Sequence, residues 1–315
     1  MDGWRSAWTA AGRALAGLGL WPVALAGFLA RGGIVVFVLP VIVPPSLVGL
    51  ATFIGPASIT PDGPTPGLLL RIALAIALFS AVLLAGTIVG AAAEIALIGA
   101  GRSDPGLGDP LPPAASGLLR RVVAIRLISL LPVAIVFGIG VQRLGQIAYL
   151  ELTLPTDLVT PIAIRVAARA PEVVGAILLA WLVGETWGGL ATRLAVLRAA
   201  GLARALGGGL NLLLRRIVVV VPLLALSVLG AVVVLGLAIG LIAWSWGFVR
   251  DALLGGTGFS GVLAMAGSTL LFVTCWVAGL TGAAALATWR GLTWTLFLGE
   301  DHRGSGGTRP ERATL

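Results

Sequence analysis

The chain has 315 residues, 58% of them hydrophobic and 11% charged, with mean hydropathy +1.06. A water-soluble chain of this length needs far more charge to cover its surface, so the composition excludes an ordinary soluble domain and makes lipid the main solvent. The formal charge of +8 comes from 21 basic residues, all arginine, that flank apolar runs without forming a soluble basic stripe with interleaved aromatics. Nucleic acid is therefore excluded as a partner, and the charge reads as a topology signal.

In chain order, the first feature is the apolar stretch 17–30, short and interrupted by Pro22, with Trp4, Trp8 and Trp21 around it. It predicts a helix lying in the membrane interface, with a seventh span as the other reading. No small-residue cleavage site marks it as a signal peptide. Six later stretches reach the roughly 20 apolar residues that a spanning helix needs. They are 33–54, 68–93, 122–141, 173–194, 217–243 and 262–287. The first contains Pro40, Pro44 and Pro45, which free backbone carbonyls and predict a bend. The tail 299–315 holds the single histidine, His302, beside Glu300 and Asp301, and reads as disordered and solvated. The single cysteine, Cys275, lies inside an apolar run. Neither residue supports a metal site, and no cofactor is expected.

Alternate sides of these spans carry unequal numbers of arginines: 16 on the side of both termini and 5 on the other. The positive-inside rule then predicts a multi-pass protein of the bacterial cytoplasmic (inner) membrane with both termini in the cytoplasm. The outer segments are 56–67, 146–170 and 244–261. Trp244 and Trp246 fall on an outer aromatic belt, and Trp289 and Trp294 on an inner one. Within the longest outer segment, TPIAIRVAARAPE predicts a short helix at the interface, near Glu151, Asp157, Arg165 and Arg169.

Three segments align internally: AGTIVGAAAEIAL from Ala85, VGETWGGLATRLAVL from Val183 and AGLTGAAALATWRGL from Ala278. GLLRR from Gly117 and LLLRR from Leu212 each open an apolar run that contains Pro132 or Pro222, and GRALAGLGL from Gly12 resembles ARALGGGLN from Ala203. The expected fold is all-α, a bundle of about six spans (1–298) arranged as three pseudo-repeated hairpins, near 12–99, 116–198 and 203–298. Each begins with a cytoplasmic interfacial helix. Small residues one turn apart recur on the returning helices: Gly86 with Gly90, Gly184 with Gly188, and Ala278 with Gly282. They predict that the second, fourth and sixth spans meet near a central axis.

Among residues able to carry chemistry, Glu185 stands out, since it lies near the middle of the fourth span. A carboxylate there is expensive and marks a substrate, ion or proton site, or a protonated group bonded to a neighbouring helix, with Thr87 or Thr281 as candidate partners. Glu94 and Arg126 share a depth near the cytoplasmic ends of the second and third spans, which predicts an interfacial ion pair. The Arg120–Arg121 and Arg215–Arg216 doublets read as topology anchors able to contact anionic headgroups. No phosphate loop, H-E-x-x-H, G-x-S-x-G or Cys/His cluster occurs, so no enzyme activity is expected.

The R-A-L-x-x-G and L-L-L-R-R elements ahead of a proline-bearing span resemble the membrane domain found beside bacterial glycerophosphodiester phosphodiesterases, and related proteins built of repeated helical hairpins. The resemblance covers most of the chain by layout. It implies a non-enzymatic membrane protein that is structural, binds a membrane or cytoplasmic protein partner, or handles a lipid or hydrophobic ligand. A second resemblance is to permease subunits of ATP-binding-cassette importers, whose docking signature E-A-A-x3-G-x9-I-x-L-P is matched in spacing by Ala203, Arg204, Ala205, Gly209, Val219, Val221 and Pro222. The acidic first residue of that signature is absent. This alternative implies a permease with 203–222 as the ATPase-docking loop and Glu185 on the path.

Overall fold

In the computed structural model, the described residues are 2–42, 59–60, 63–102, 117–153, 160–254 and 258–305, with side chains described for most of these. Six helices are long and apolar enough to cross a membrane, and the protein is an all-α transmembrane bundle. Chain order gives α1 (Asp2–Ala16), α2 (Leu18–Val38), α3 (Pro66–Arg102), α4 (Leu118–Ile128), α5 (Leu131–Thr153), α6 (Ile162–Arg169), α7 (Pro171–Leu197), α8 (Leu202–Arg215), α9 (Ile217–Leu254) and α10 (Phe259–Ser305). The spans are α2, α3, α4 with α5, α7, α9 and α10. A two-residue antiparallel pairing of Ile59–Thr60 with Gly63–Pro64 precedes α3.

The first span differs from the sequence expectation. Residues 17–30 are neither an interfacial helix nor a seventh span; they form the first half of α2. Pro22 sits in its first turn, where no backbone N–H is needed. The span kinks at Leu29–Gly33, where Arg31 (φ −84°, ψ 18°) and Gly32 (φ +98°, ψ −2°) leave helical geometry, the second in a conformation that favours glycine. The expected span 33–54 therefore ends early, with α2 finishing at Val38 just before Pro40. Residues 43–54, including Pro44 and Pro45, lie outside the described residues, as do Asp157 and 306–315. The tail expected from 299 starts as helix, because α10 continues to Ser305.

Only α1 and α8 are distinct amphipathic helices at the arginine-rich end of the bundle, and the second hairpin has no counterpart among the described residues. Apolar contact docks α1: Ala7, Ala10 and Ala14 pack on Leu292, Trp294, Leu296 and Phe297 of α10. Indole N–H groups fasten both helices. Trp289 donates to the Ala7 carbonyl at 3.0 Å, Trp21 to Ala14 at 2.7 Å, and Trp187 to Leu206 at 2.9 Å. Trp289 and Trp294 thus belong to an internal packing layer and not to the expected aromatic belt; Trp294 is 6% exposed. Arg121 donates to the Ala200 carbonyl at 3.0 Å beyond the end of α7, so one member of its doublet closes a helix terminus.

The second, fourth and sixth spans do meet, where Glu94, Arg193 and Gly291 come together, but not through their small-residue faces. A Cβ on Gly86 would overlap the Ala30 carbonyl oxygen of α2, and one on Gly184 would overlap the Ser129 carbonyl oxygen between α4 and α5. Gly279 lies against Ala238 of α9, where an added Cβ would come within 3.1 Å of the Ala238 side chain. Gly86 and Gly184 are therefore seated on the outgoing helix of their own hairpin, whereas Gly279 is shared between α9 and Phe37 of α2, which an added Cβ would also approach to 3.1 Å. Close backbone approach of this kind maximises dispersion and weak Cα–H···O contact in lipid. The third pair is also shifted by one residue: Ala278 is exposed, and Gly279 with Ala283 forms the buried face. Gly282 approaches Val234 more loosely.

The outer end has its own ionic anchor. The expected short helix is present as α6, and its Arg165 and Arg169 lie 2.8 and 2.7 Å from the fully buried carboxylate of Glu151 at the end of α5. Glu151 is therefore an internal counter-ion and not a solvated loop residue. Changing Glu151 to Gln is expected to release α6. Amide exchange over 162–169 should rise at least tenfold while exchange in α7 and α9 stays unchanged, and equal protection of α6 in both proteins would refute the anchor.

Candidate functional site

Two carboxylates and four guanidiniums converge inside the bundle near its arginine-rich end. Glu94 of α3 is the hub. Arg126 of α4 donates to it from Nε at 2.9 Å, Arg31 of α2 donates from Nη2 at 2.8 Å, and Arg193 of α7 lies 3.4 Å away. Glu185 of α7 accepts from Arg126 Nη1 at 3.1 Å, which makes Arg126 the bridge between the two acids. Arg31 and Arg290 of α10 approach the other Glu185 oxygen at 3.7 and 3.6 Å. Helices from all three hairpins contribute.

Local structure explains how long, charged side chains fit here. Gly90 lies one turn before Glu94, and a Cβ there would come within 2.6 Å of Arg31 Nε. Gly188 does the same for Arg126 and Ser129, with an added Cβ 3.2 Å from Arg126 Nη1 and 2.6 Å from the Ser129 hydroxyl. The second glycine of each pair therefore clears room for an arginine, besides any role in helix packing. The kink in α2 falls at Arg31, whose side chain lies beside the Gly90 carbonyl, to which its Nη2 also donates at 2.9 Å.

The cluster has a closed side and an open side. The Glu94, Arg126 and Arg193 side chains are 7%, 8% and 6% exposed, whereas those of Arg31, Glu185 and Arg290 are 32%, 22% and 34% exposed. On the closed side the donors are engaged. All three nitrogens of Arg126 face carboxylates, and Arg193 donates to the Gly189 carbonyl at 2.9 Å, the Gly291 carbonyl at 3.0 Å and the Thr295 hydroxyl at 3.4 Å. On the open side, among the described residues, Arg31 Nη1 and the whole Arg290 guanidinium have only the long contacts to Glu185. Four positive and two negative groups leave an excess of two positive charges.

Several sequence expectations are revised by this geometry. Glu94 and Arg126 do pair, in a buried position, and they belong to a larger cluster. Glu185 is bound by arginines and not by the threonines proposed for it. Thr87 donates to the Leu83 carbonyl and Thr281 to the Val277 carbonyl, each at 2.7–2.8 Å within its own helix. Arg31, Arg193 and Arg290 had read as flanking topology charges. A signal for Arg193 was available in the row Glu185, Gly189, Arg193, spaced by four, which shares roughly one helical face. Gly86, Gly90 and Glu94 form a similar row on α3.

The fold and the cluster together define a polytopic helical membrane protein with an ion cluster inside its bundle. No protein family, curated protein or solved structure matches the chain.

Proposed function

We propose that this chain is a non-enzymatic protein of the bacterial cytoplasmic membrane, with cytoplasmic termini, that holds a membrane lipid or similar amphiphile against its bundle. The observation carrying this reading is the one-sided opening of the charged cluster. A purely structural ion network gains nothing from leaving two guanidiniums and a carboxylate under-coordinated at a bundle surface, because charge at membrane depth is expensive unless satisfied. An amphiphile can supply a polar group to that opening while its chains lie along the apolar faces beside it.

The sidedness rests on arginine counts. Four of the 16 arginines on the terminal side, Arg31, Arg126, Arg193 and Arg290, belong to the cluster, which leaves 12 against 5 and preserves the bias. The recurrent glycine seats support a reading of the bundle as three copies of one hairpin. The permease alternative is less well supported. Ala205 and Gly209 of α8 are buried against α7, and a Cβ on Gly209 would come within 2.9 Å of the Ala191 backbone nitrogen. A helix tucked into its own bundle by that face presents only the remainder of the suggested docking signature to an ATPase.

Photolabelling tests the proposal. A lipid with a photoreactive acyl chain, added to membranes containing the full chain, should label α2, α7 and α10 around Arg31, Glu185 and Arg290 more heavily than residues 69–85 of α3. That α3 segment is exposed along its entire length and reports ordinary lipid contact. Labelling no heavier at the cluster than on α3 refutes lipid handling.

A further inference from the structure

We infer that the open side of the cluster is an anion site, in which a phosphate group docks between the guanidiniums of Arg31 and Arg290, next to Glu185. The inference rests on the lipid-handling reading and names the chemical group that this site recognises. Three observations on the molecule converge on it.

The first is charge balance. Glu94 and Glu185 together neutralise two of the four guanidiniums, and no other described acidic side chain contacts the cluster. The two unneutralised charges are not spread evenly. Arg126 and Arg193 are deeply buried with an acceptor at every guanidinium nitrogen, so the unmet positive field points out through Arg31 and Arg290. The second is donor geometry. A guanidinium presents five N–H groups in a planar fork suited to phosphate oxygens. Among the described residues, Arg290 uses none of them in a short hydrogen bond, and Arg31 Nη1 has only its 3.7 Å approach to Glu185. Both forks approach the same Glu185 oxygen from different helices, so they flank one opening.

The third is placement. Arg290 lies eight residues before the end of the α10 span at Leu298, and Arg31 thirteen residues after the α2 span begins at Leu18. At 1.5 Å per residue, these are about 12 and 20 Å from the arginine-rich end of their apolar spans. An anion entering from that end, or a lipid phosphate drawn inward from the adjacent leaflet, reaches the forks without crossing the bundle. Glu185 then limits the site: its negative charge repels an anion that is not engaged by both arginines, and it holds the two forks in place when the site is vacant.

The test measures retained ligand on the detergent-purified full chain by native mass spectrometry. Phosphatidylglycerol, diacylglycerol with the same chains, and inorganic phosphate are added separately. Wild-type protein should retain phosphatidylglycerol roughly tenfold better than diacylglycerol, which is the scale of one or two charge-assisted hydrogen bonds. Arg290→Gln should remove most of that preference, and it should remain folded because Arg290 makes only a long contact. Arg31→Gln should do the same if it folds, whereas Arg120→Gln, an exposed arginine at the same end, should leave the preference intact. Displacement of the lipid by millimolar phosphate assigns recognition to the phosphate itself. Failure of phosphate to compete, with the lipid preference retained, assigns the site to a lipid-borne phosphate. Equal retention of both lipids overturns the anion site but leaves lipid handling standing, and retention of neither lipid nor phosphate overturns both. A loss in Arg120→Gln as large as in Arg290→Gln reduces the effect to general surface attraction and also overturns the site.

Discussion

Replacing Glu94 with Ala is expected to destabilise the bundle by about 3–5 kcal/mol, the cost of stranding buried charges whose partner has been removed. Arg31, Arg126 and Arg193 all lie within 3.4 Å of the Glu94 carboxylate, and two of these three arginines are almost fully buried. Without Glu94 the remaining acid, Glu185, faces four guanidiniums. Thermal unfolding in a mild detergent, followed by loss of monodisperse protein, measures the effect. Glu172→Ala is the internal comparison, because Glu172 pairs with Arg143 on the exposed outer surface, and it should behave as wild type. Removing Arg193 together with Glu94 should restore part of the lost stability, since the double change deletes one stranded charge. Wild-type stability in Glu94→Ala would refute the description of Glu94 as the hub.

The second large effect concerns the glycine seats. Gly184→Val and Gly86→Val each drive a branched side chain into a backbone carbonyl, that of Ser129 or Ala30, which side-chain repacking cannot relieve. Overpacking against backbone belongs at or beyond the upper end of its usual range, about 3 kcal/mol, and either variant should fail to give a folded bundle. Gly236→Ala and Gly240→Ala, where an added Cβ meets nothing within 4 Å, should be neutral or gain up to about 1 kcal/mol from helix propensity. Yields of folded protein after extraction would separate the two groups, and a normal yield for Gly184→Val would contradict the seat.

Much of this architecture was legible in residue order because lipid imposes a simple rule: about 20 apolar residues cross, and everything else marks an end. Spans two to six and the short outer helix follow from it. The rule misplaced the first span for the same reason that it hid most of the cluster. Arg31, Gly32 and Gly33 interrupt the apolar run and read as a boundary, and the helix does kink there, yet the span continues past them because two carboxylates on other helices neutralise the arginine. Arg193 and Arg290 likewise sit near span ends, where an arginine is ordinarily a topology marker. Whether such a residue turns inward depends on a carboxylate brought from a distant helix, and one-dimensional spacing does not record that. Glycine pairs were visible, but their partner helix was not: packing on a neighbouring hairpin and packing on their own hairpin share the same four-residue period.

The docking of α1 on α10 also sets an order in time. α1 precedes α10 in synthesis and finds most of its apolar partners there, at Leu292, Trp294, Leu296 and Phe297, and the Ala7 carbonyl waits for an indole 282 positions later. Until α10 emerges, Ala10 and Ala14 on the inward face of α1 lack the residues that bury them, and that face must rest on the membrane. Closure of the bundle is therefore a late, long-range event in biogenesis. Shortening the chain by a few residues within α10 should harm assembly far more than the same truncation in the polar tail.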